Sequence, residues 1–315
     1  MIDQIATDLY RIQIPLPGNP LRSINAYVIK APSRNLIIDT GMNQQECMHS
    51  MLEGLRELDV NLSRTDFFIT HFHMDHIGLV SKLITEKSII YFDQADADSL
   101  EKISFGWLWY DIINYTRMHG FPESELQEVC NKNPNYRHRV KEHLSFNFLG
   151  DGDKINIGDY QFRCIKTPGH SKGHCCLYEP AKMIFLAGDD ILSDITPTIQ
   201  LRSEIENPLE EYLRSLDKVY ELDIVLVLPG HGRIFGNCKE RIEELKCHHQ
   251  ERIDEIALIL GSGPKNAYEV ASRMSWDIRY ESWDQFPVLQ KWFASGEAIA
   301  HLKYLETTGR IRKEI

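Results

Sequence analysis

Three histidines and an aspartate fall within six positions of "THFHMDHIGL", residues 70–79, directly after the apolar run "DFFIT". A solvated loop has no use for that much imidazole, and a packed core would leave most of the ring nitrogens without partners. Imidazole nitrogens and carboxylate oxygens are the usual ligands of a hydrolytic zinc ion. His71, His73, Asp75 and His76 are therefore candidate metal ligands. Further candidates follow in "TPGHSKGH" (His170), "LAGDD" (Asp189) and "LPGHG" (His231). Two metal ions a few ångströms apart need a bridging carboxylate and a shared water. Most of these candidates directly follow an apolar strand and sit among turn residues, so strand ends can converge on one edge of a sheet pair.

Strands and a helix surround these residues in the chain. "LYRIQIPL", "INAYVIKA" and "NLIIDTG" are β-rich runs closed by Gly, Pro or Asn. "NQQECMHSMLEGLREL" has apolar residues at helical spacing, and "DFFITHFH" returns to a strand. Later strands are "SIIYFDQ", "KINIGDYQFRCIKTPGH", "HCCLYEP", "MIFLAGDD" and "IVLVLPGHG", with a helix "NPLEEYLRSLDKVYEL" before the last. That order predicts an α/β fold of two packed sheets covered by helices.

The residue order His-x-His-x-Asp-His, then an isolated His, Asp and His in these local contexts, resembles the metallo-β-lactamase-fold hydrolase superfamily from about Asp8 to Asn237. The resemblance implies an αββα sandwich with two Zn2+, Mn2+ or Fe2+ being alternatives. It implies one ion held by His71, His73 and His170, a second by Asp75, His76 and His231, and Asp189 bridging them. It also implies a metal-bridging hydroxide as nucleophile, with Asp75 or Asp189 receiving the proton. True β-lactamases of this fold commonly carry cysteine where this chain has Asp189 and are exported; flavodiiron proteins carry Glu where it has His73. The resemblance thus points to the group of glyoxalase II, long-chain thioesterases and the β-lactamase-like endoribonuclease.

Around these ligands, Asp39 in "LIIDTG" is read as accepting a hydrogen bond from a ligand imidazole, fixing its tautomer. His174 orients a ligand, meets substrate or is an imidazole without a chemical role, Asp190 is an exposed neighbour of Asp189, and at least one of Cys175 and Cys176 is a buried small apolar group. Residues from about 93 to 147 look like a helical insertion rich in aromatics, either packing or a substrate lid formed by Trp107, Trp109 and Tyr110.

Residues 1–247 are assigned to the hydrolase domain and 248–315 to a small domain of three helices and a terminal strand, "RIRKEI". That tail resembles the winged helix appended to the endoribonuclease. Its mixed charge lacks the dense positive stripe of a strong nucleic-acid reader.

The formal net charge of −11 argues against a surface that attracts nucleic acid or anionic lipid throughout. No run of about 18 apolar residues suggests a membrane span. The start lacks a signal-peptide pattern, and the seven cysteines include no C-x-x-C pair, which together suggest the cytoplasm. The resulting expectation is a dinuclear-zinc hydrolase of a small ester or thioester with an apolar portion, with a homodimer as a candidate assembly. Single-stranded RNA is the alternative substrate; a winged-helix nucleic-acid-binding regulator is the alternative of another class.

Overall fold

A computed structural model describes residues 1–104, 107–133, 140, 143–200, 207–277 and 280–314, with the backbone alone for 107–109. One sheet runs in chain order through β1 (Ile2–Ala6), β2 (Leu9–Pro15), β3 (Ser23–Ile29), β4 (Asn35–Ile38), β5 (Thr65–Phe68), β6 (Ile90–Phe92) and β7 (Asn147–Phe148). The second lies in the order β12 (Leu226–Pro229), β11 (Ile184–Gly188), β10 (Cys175–Glu179), β9 (Tyr160–Lys166) and β8 (Lys154–Ile157).

Successive strand residues point to opposite faces, and both faces of both sheets are apolar. From the first sheet Leu36, Ile38 and Phe68 meet Phe162, Leu177, Leu186 and Leu228 of the second, forming the core between the sheets. Their strand neighbours Ile37 and Phe67 face outward, under Cys47, Met51 and Leu55 of helix α1 (Gln45–Glu57). In the second sheet Cys175 faces the inter-sheet core and Cys176 the helices, so both thiols are buried. The helices there are α7 (Pro208–Tyr220), α8 (Cys238–Leu260), α9 (Ala267–Ala271) and α10 (Val288–Thr307). The layers are therefore helix, sheet, sheet, helix, as the strand and helix order predicts.

Strands β4, β5 and β6 run parallel, as do β11 and β12, so their C-terminal ends share an edge. At that edge the sheets are joined through the backbone: Asn25 N–H donates to Gly230 O (2.7 Å) and Cys175 N–H to Thr70 O (2.9 Å). Short helices α2 (Met74–Ile77) and α3 (Val80–Leu83) follow β5.

The insertion is helical, with α4 (Gln94–Ser104), α5 (Trp107–Met118) and α6 (Glu123–Lys132). Ile112, Phe121, Leu126 and Val129 pack against Val288 and Trp292 of α10, and Lys291 pairs with Glu125 (3.0 Å).

Several expectations change. β1 lies ahead of the first strand read from the sequence, and the insertion reaches β7, which pairs with β6. Helix α8 starts at Cys238, so the 247/248 boundary falls inside a helix. Residues 311–314 form no strand, and the described part of 248–315 contains none, so the expected wing is not seen there. "RIRKEI" has the alternation of a strand but no neighbouring tail strand whose backbone could pair with it. Among the described residues no helix is long and apolar enough to cross a membrane.

Candidate metal centre

Every candidate ligand stands beyond the C-terminal end of a strand. His71 and His73 follow β5, and His73 caps α2, whose single turn presents Asp75 and His76. His170 follows β9, Asp189 follows β11 without a break, and His231 follows β12. The loop holding His170 is locked against α7. Gly169 has φ +146°, and a Cβ there would lie 2.5 Å from Tyr212 Cβ, so this position suits only glycine. Ser215 also donates to Pro168 O (2.8 Å).

The ligand atoms converge. Three groups have their donor atoms within 4.8 Å of one another and could hold a metal ion: His71, His73 and His170; His71, His76 and Asp189; and Asp75, His76 and His231. His73 Nδ1 lies 2.9 Å from His71 Nε2 and 3.0 Å from His170 Nε2. Asp189 Oδ2 lies 3.5 Å from His76 Nε2, 3.8 Å from His170 Nε2 and 3.6 Å from His231 Nε2. Asp75 Oδ2 is 3.3 Å from His231 Nε2.

The rings of His71, His76, His170 and His231 are each aimed by the other nitrogen. His170 Nδ1 faces Thr198 O (2.8 Å) and His231 Nδ1 faces Ser23 O (2.7 Å); a carbonyl only accepts, so Nδ1 carries the proton and Nε2 turns a lone pair inward. Asp39, with the left-handed φ of 58° that Asp tolerates, sets two more. Its Oδ2 accepts from His76 Nδ1 (2.7 Å) and from Thr70 Oγ1 (2.9 Å), and Thr70 Oγ1 in turn lies 3.0 Å from His71 Nδ1.

The electrostatics suit a cation. His71 is held well below the usual imidazole range by burial and by the neighbouring imidazoles, so it is neutral. Burial also opposes charge on His76 and His231, but Asp189 and the nearby carboxylates raise both. Burial opposes ionisation of Asp189 and Asp75 too, yet the adjacent imidazoles hold both below the ordinary carboxylate range. Buried polar atoms normally have partners. Here His76 Nε2, Asp189 Oδ1 and His231 Nε2 have no hydrogen bond, and all lie at this convergence. The donor set, the inward lone pairs and these unsatisfied atoms fit metal ions bound by nitrogen and oxygen.

The remaining sequence candidates are placed as follows. His174 is fully buried: its Nε2 accepts from Asp189 N–H (3.1 Å) and its Nδ1 donates to Thr167 Oγ1 (2.8 Å). Burial and His170 push it down to about 3, so it is a neutral ring that fixes the backbone of Asp189. Asp190, expected to be exposed, is fully buried beneath α7, and its carboxyl is raised well above the ordinary range by burial. Two adjacent carboxylates after a strand look alike in sequence, but the pleat sends one to the site and the other into the helix-covered core. Tyr110 is 70% exposed; the side chains of Trp107 and Trp109 lie outside the described residues.

Some supports were missed. Asn25 in β3 donates to Pro229 O and Gly232 O, each at 3.0 Å, and Tyr27 OH to Pro229 O (2.8 Å), so the first sheet grips the loop that carries His231. An asparagine inside the otherwise apolar "SINAYVI" was the available signal.

The sequence profile of the metallo-beta-lactamase superfamily matches residues 19–231. The chain belongs to this superfamily, and its class is that of a metallo-hydrolase. It is 24% identical over 302 residues to the probable metallo-hydrolase YqjP of Bacillus subtilis, covering 85% of each chain. It is 26% identical over 229 residues to the human acyl-coenzyme A thioesterase MBLAC2, covering 67% of this chain and 74% of that one. Among solved structures, a metallo-beta-lactamase family protein of Thermus thermophilus superposes with a TM-score of 0.82 at 26% identity, covering 97% of this chain and 95% of the other.

Proposed function

We propose that this chain is a dinuclear, zinc-dependent hydrolase of a small thioester or ester with an apolar portion, acting in the cytoplasm. The observation that carries the reading is the place of Asp189 Oδ2, within 3.8 Å of an imidazole nitrogen of His170, from one ligand group, and of His76 and His231, from the other. A single carboxylate so placed suits a bridge. His71, His73 and His170 would hold one ion, and Asp75, His76 and His231 the other. When bound, the ions would supply Lewis acidity and lower the pKa of water toward neutrality.

The chain's own groups do the rest. Asp75 is the more exposed carboxylate, 14% against 8% for Asp189, and it is ionised. It would take the proton of the attacking water as the water oxygen bonds to the carbonyl carbon. The carbon–sulfur or carbon–oxygen bond of the substrate then breaks, and the proton passes to the leaving thiolate or alkoxide. A thioester suits this reading because one relative is named an acyl-coenzyme A thioesterase. We assign the apolar portion to the insertion, where Tyr110 presents an exposed ring.

The test is metal analysis of the purified protein followed by a panel of thioesters, esters, lactones, phosphodiesters and single-stranded RNA. About two metal equivalents and preferred thioester or ester turnover are expected. RNA cleavage without ester turnover would replace this reading with a nuclease. Duplex-DNA binding with a steep salt slope and no hydrolysis would replace it with a regulator.

A further inference from the structure

The loops that carry His71, His73 and His170 come from different sheets, yet one side chain outside both loops ties them together. Asp96 lies in the first turn of α4 and is fully buried. Its Oδ2 accepts from Phe72 N–H (3.1 Å), between His71 and His73, and from Ser171 Oγ (2.7 Å), next to His170. Its Oδ1 accepts from Gly173 N–H (2.7 Å). The helix end that carries it is itself fixed. Asp93 Oδ1 accepts from Ala95 N–H (2.7 Å), and Lys166 at the end of β9 pairs with Asp93. Gly173 must be glycine for this approach, because a Cβ there would lie 2.1 Å from Asp93 Oδ1 and 2.7 Å from Asp96 N.

We propose that Asp96 is a positioning residue for the metal centre: a buried carboxylate clasp that sets the separation of the His71/His73 loop from the His170 loop, and so the shape of the three-histidine pocket. All three partners are donors, and only an acceptor with two oxygens serves them together. An asparagine must turn an N–H toward at least one donor, which opens the clasp. The inference rests on metal binding by His71, His73 and His170, and is independent of the substrate.

The test uses the full chain loaded with cobalt(II), comparing wild type with Asp96→Asn, Ser171→Ala and Leu100→Ala. Leu100 lies buried on the same helix and has no part in the clasp, so it controls for simple loss of stability. Chelator competition gives affinity, and the visible absorption of cobalt reports ligand geometry. Asp96→Asn is expected to weaken binding at the three-histidine pocket by about 10- to 100-fold, the range for lost ligand supports, and to alter the spectrum. Ser171→Ala should do the same to a smaller degree and serves if Asp96→Asn does not fold. Leu100→Ala should leave the spectrum of its folded fraction unchanged. Wild-type affinity and spectrum in Ser171→Ala and in any folded Asp96→Asn would overturn the clasp alone. A wild-type protein that takes up no cobalt would overturn the metal reading and the clasp with it.

Discussion

Asp39 Oδ2 lies 2.7 Å from His76 Nδ1 while its Oδ1 accepts the backbone N–H of Thr70 at 2.9 Å, so one buried carboxylate fixes both a candidate ligand ring and the strand end beside it. Asp39→Asn would offer His76 an amide in place of a charged acceptor and weaken the preference for a proton on Nδ1. Metal affinity should fall by about 10- to 100-fold with the fold retained. Chelator competition against wild type measures this, and unchanged affinity would contradict the role given to Asp39.

Asp189→Asn should lower both metal occupancy and turnover, because an amide is a much poorer bridge than a carboxylate. Metal content by elemental analysis and turnover on the best ester or thioester are the readouts. Full activity with two tightly held ions would sink the proposed bridge.

A pH dependence of stability should arise outside the candidate metal centre. His249 Nδ1 and His301 Nε2 lie 3.1 Å apart, buried between α8 and α10, and His301 is pushed down to about 4, chiefly by burial. The unfolded chain takes up this proton near pH 6.5 and the folded chain only near 4, so the stability is present above 6.5 and is lost as pH falls toward 4. At about 1.4 kcal/mol per unit this reaches roughly 3 kcal/mol. Urea unfolding of wild type and His301→Gln at about pH 7 and pH 5 should give the variant the shallower loss. Equal losses would remove His301 from the account.

Cutting the chain after Cys247 should abolish folding rather than release a working domain. The cut severs α8 and strips Ile253, Ile256, Val270, Ala298, Ile299 and Leu305 from the core over the second sheet. At about 1.5 to 3 kcal/mol for each large apolar side chain, the loss is as large as a typical net stability of roughly 5 to 15 kcal/mol. Circular dichroism and soluble yield are the measurements; a soluble fragment that unfolds cooperatively would refute the prediction.

The sequence made the strand ends legible because apolar runs stop at residues with no reason to be polar except chemistry. "DFFITHFH" and "MIFLAGDD" carry that signal, and Asp39 shares it. What the sequence could not disclose is what lies opposite in space. Asp96 sits in "DQADADSL", where it is indistinguishable from the exposed Asp98 two residues on, and its partners are Phe72, Ser171 and Gly173. The start of α8, "CKERIEELKC", is so charged that its buried stripe, Cys238, Ile242 and Leu245, is easily missed. "RIRKEI" shows the opposite failure, a local pattern without a pairing partner.

The long α8 also bears on how the protein is made. All the candidate ligands have been synthesised once His231 is added, but the outer face of the second sheet still waits for Ile299 and Leu305 of α10. A chain emerging from the ribosome therefore carries all the candidate ligands on a half-covered sheet. Its apolar surface stays open to association until α10 arrives to close it.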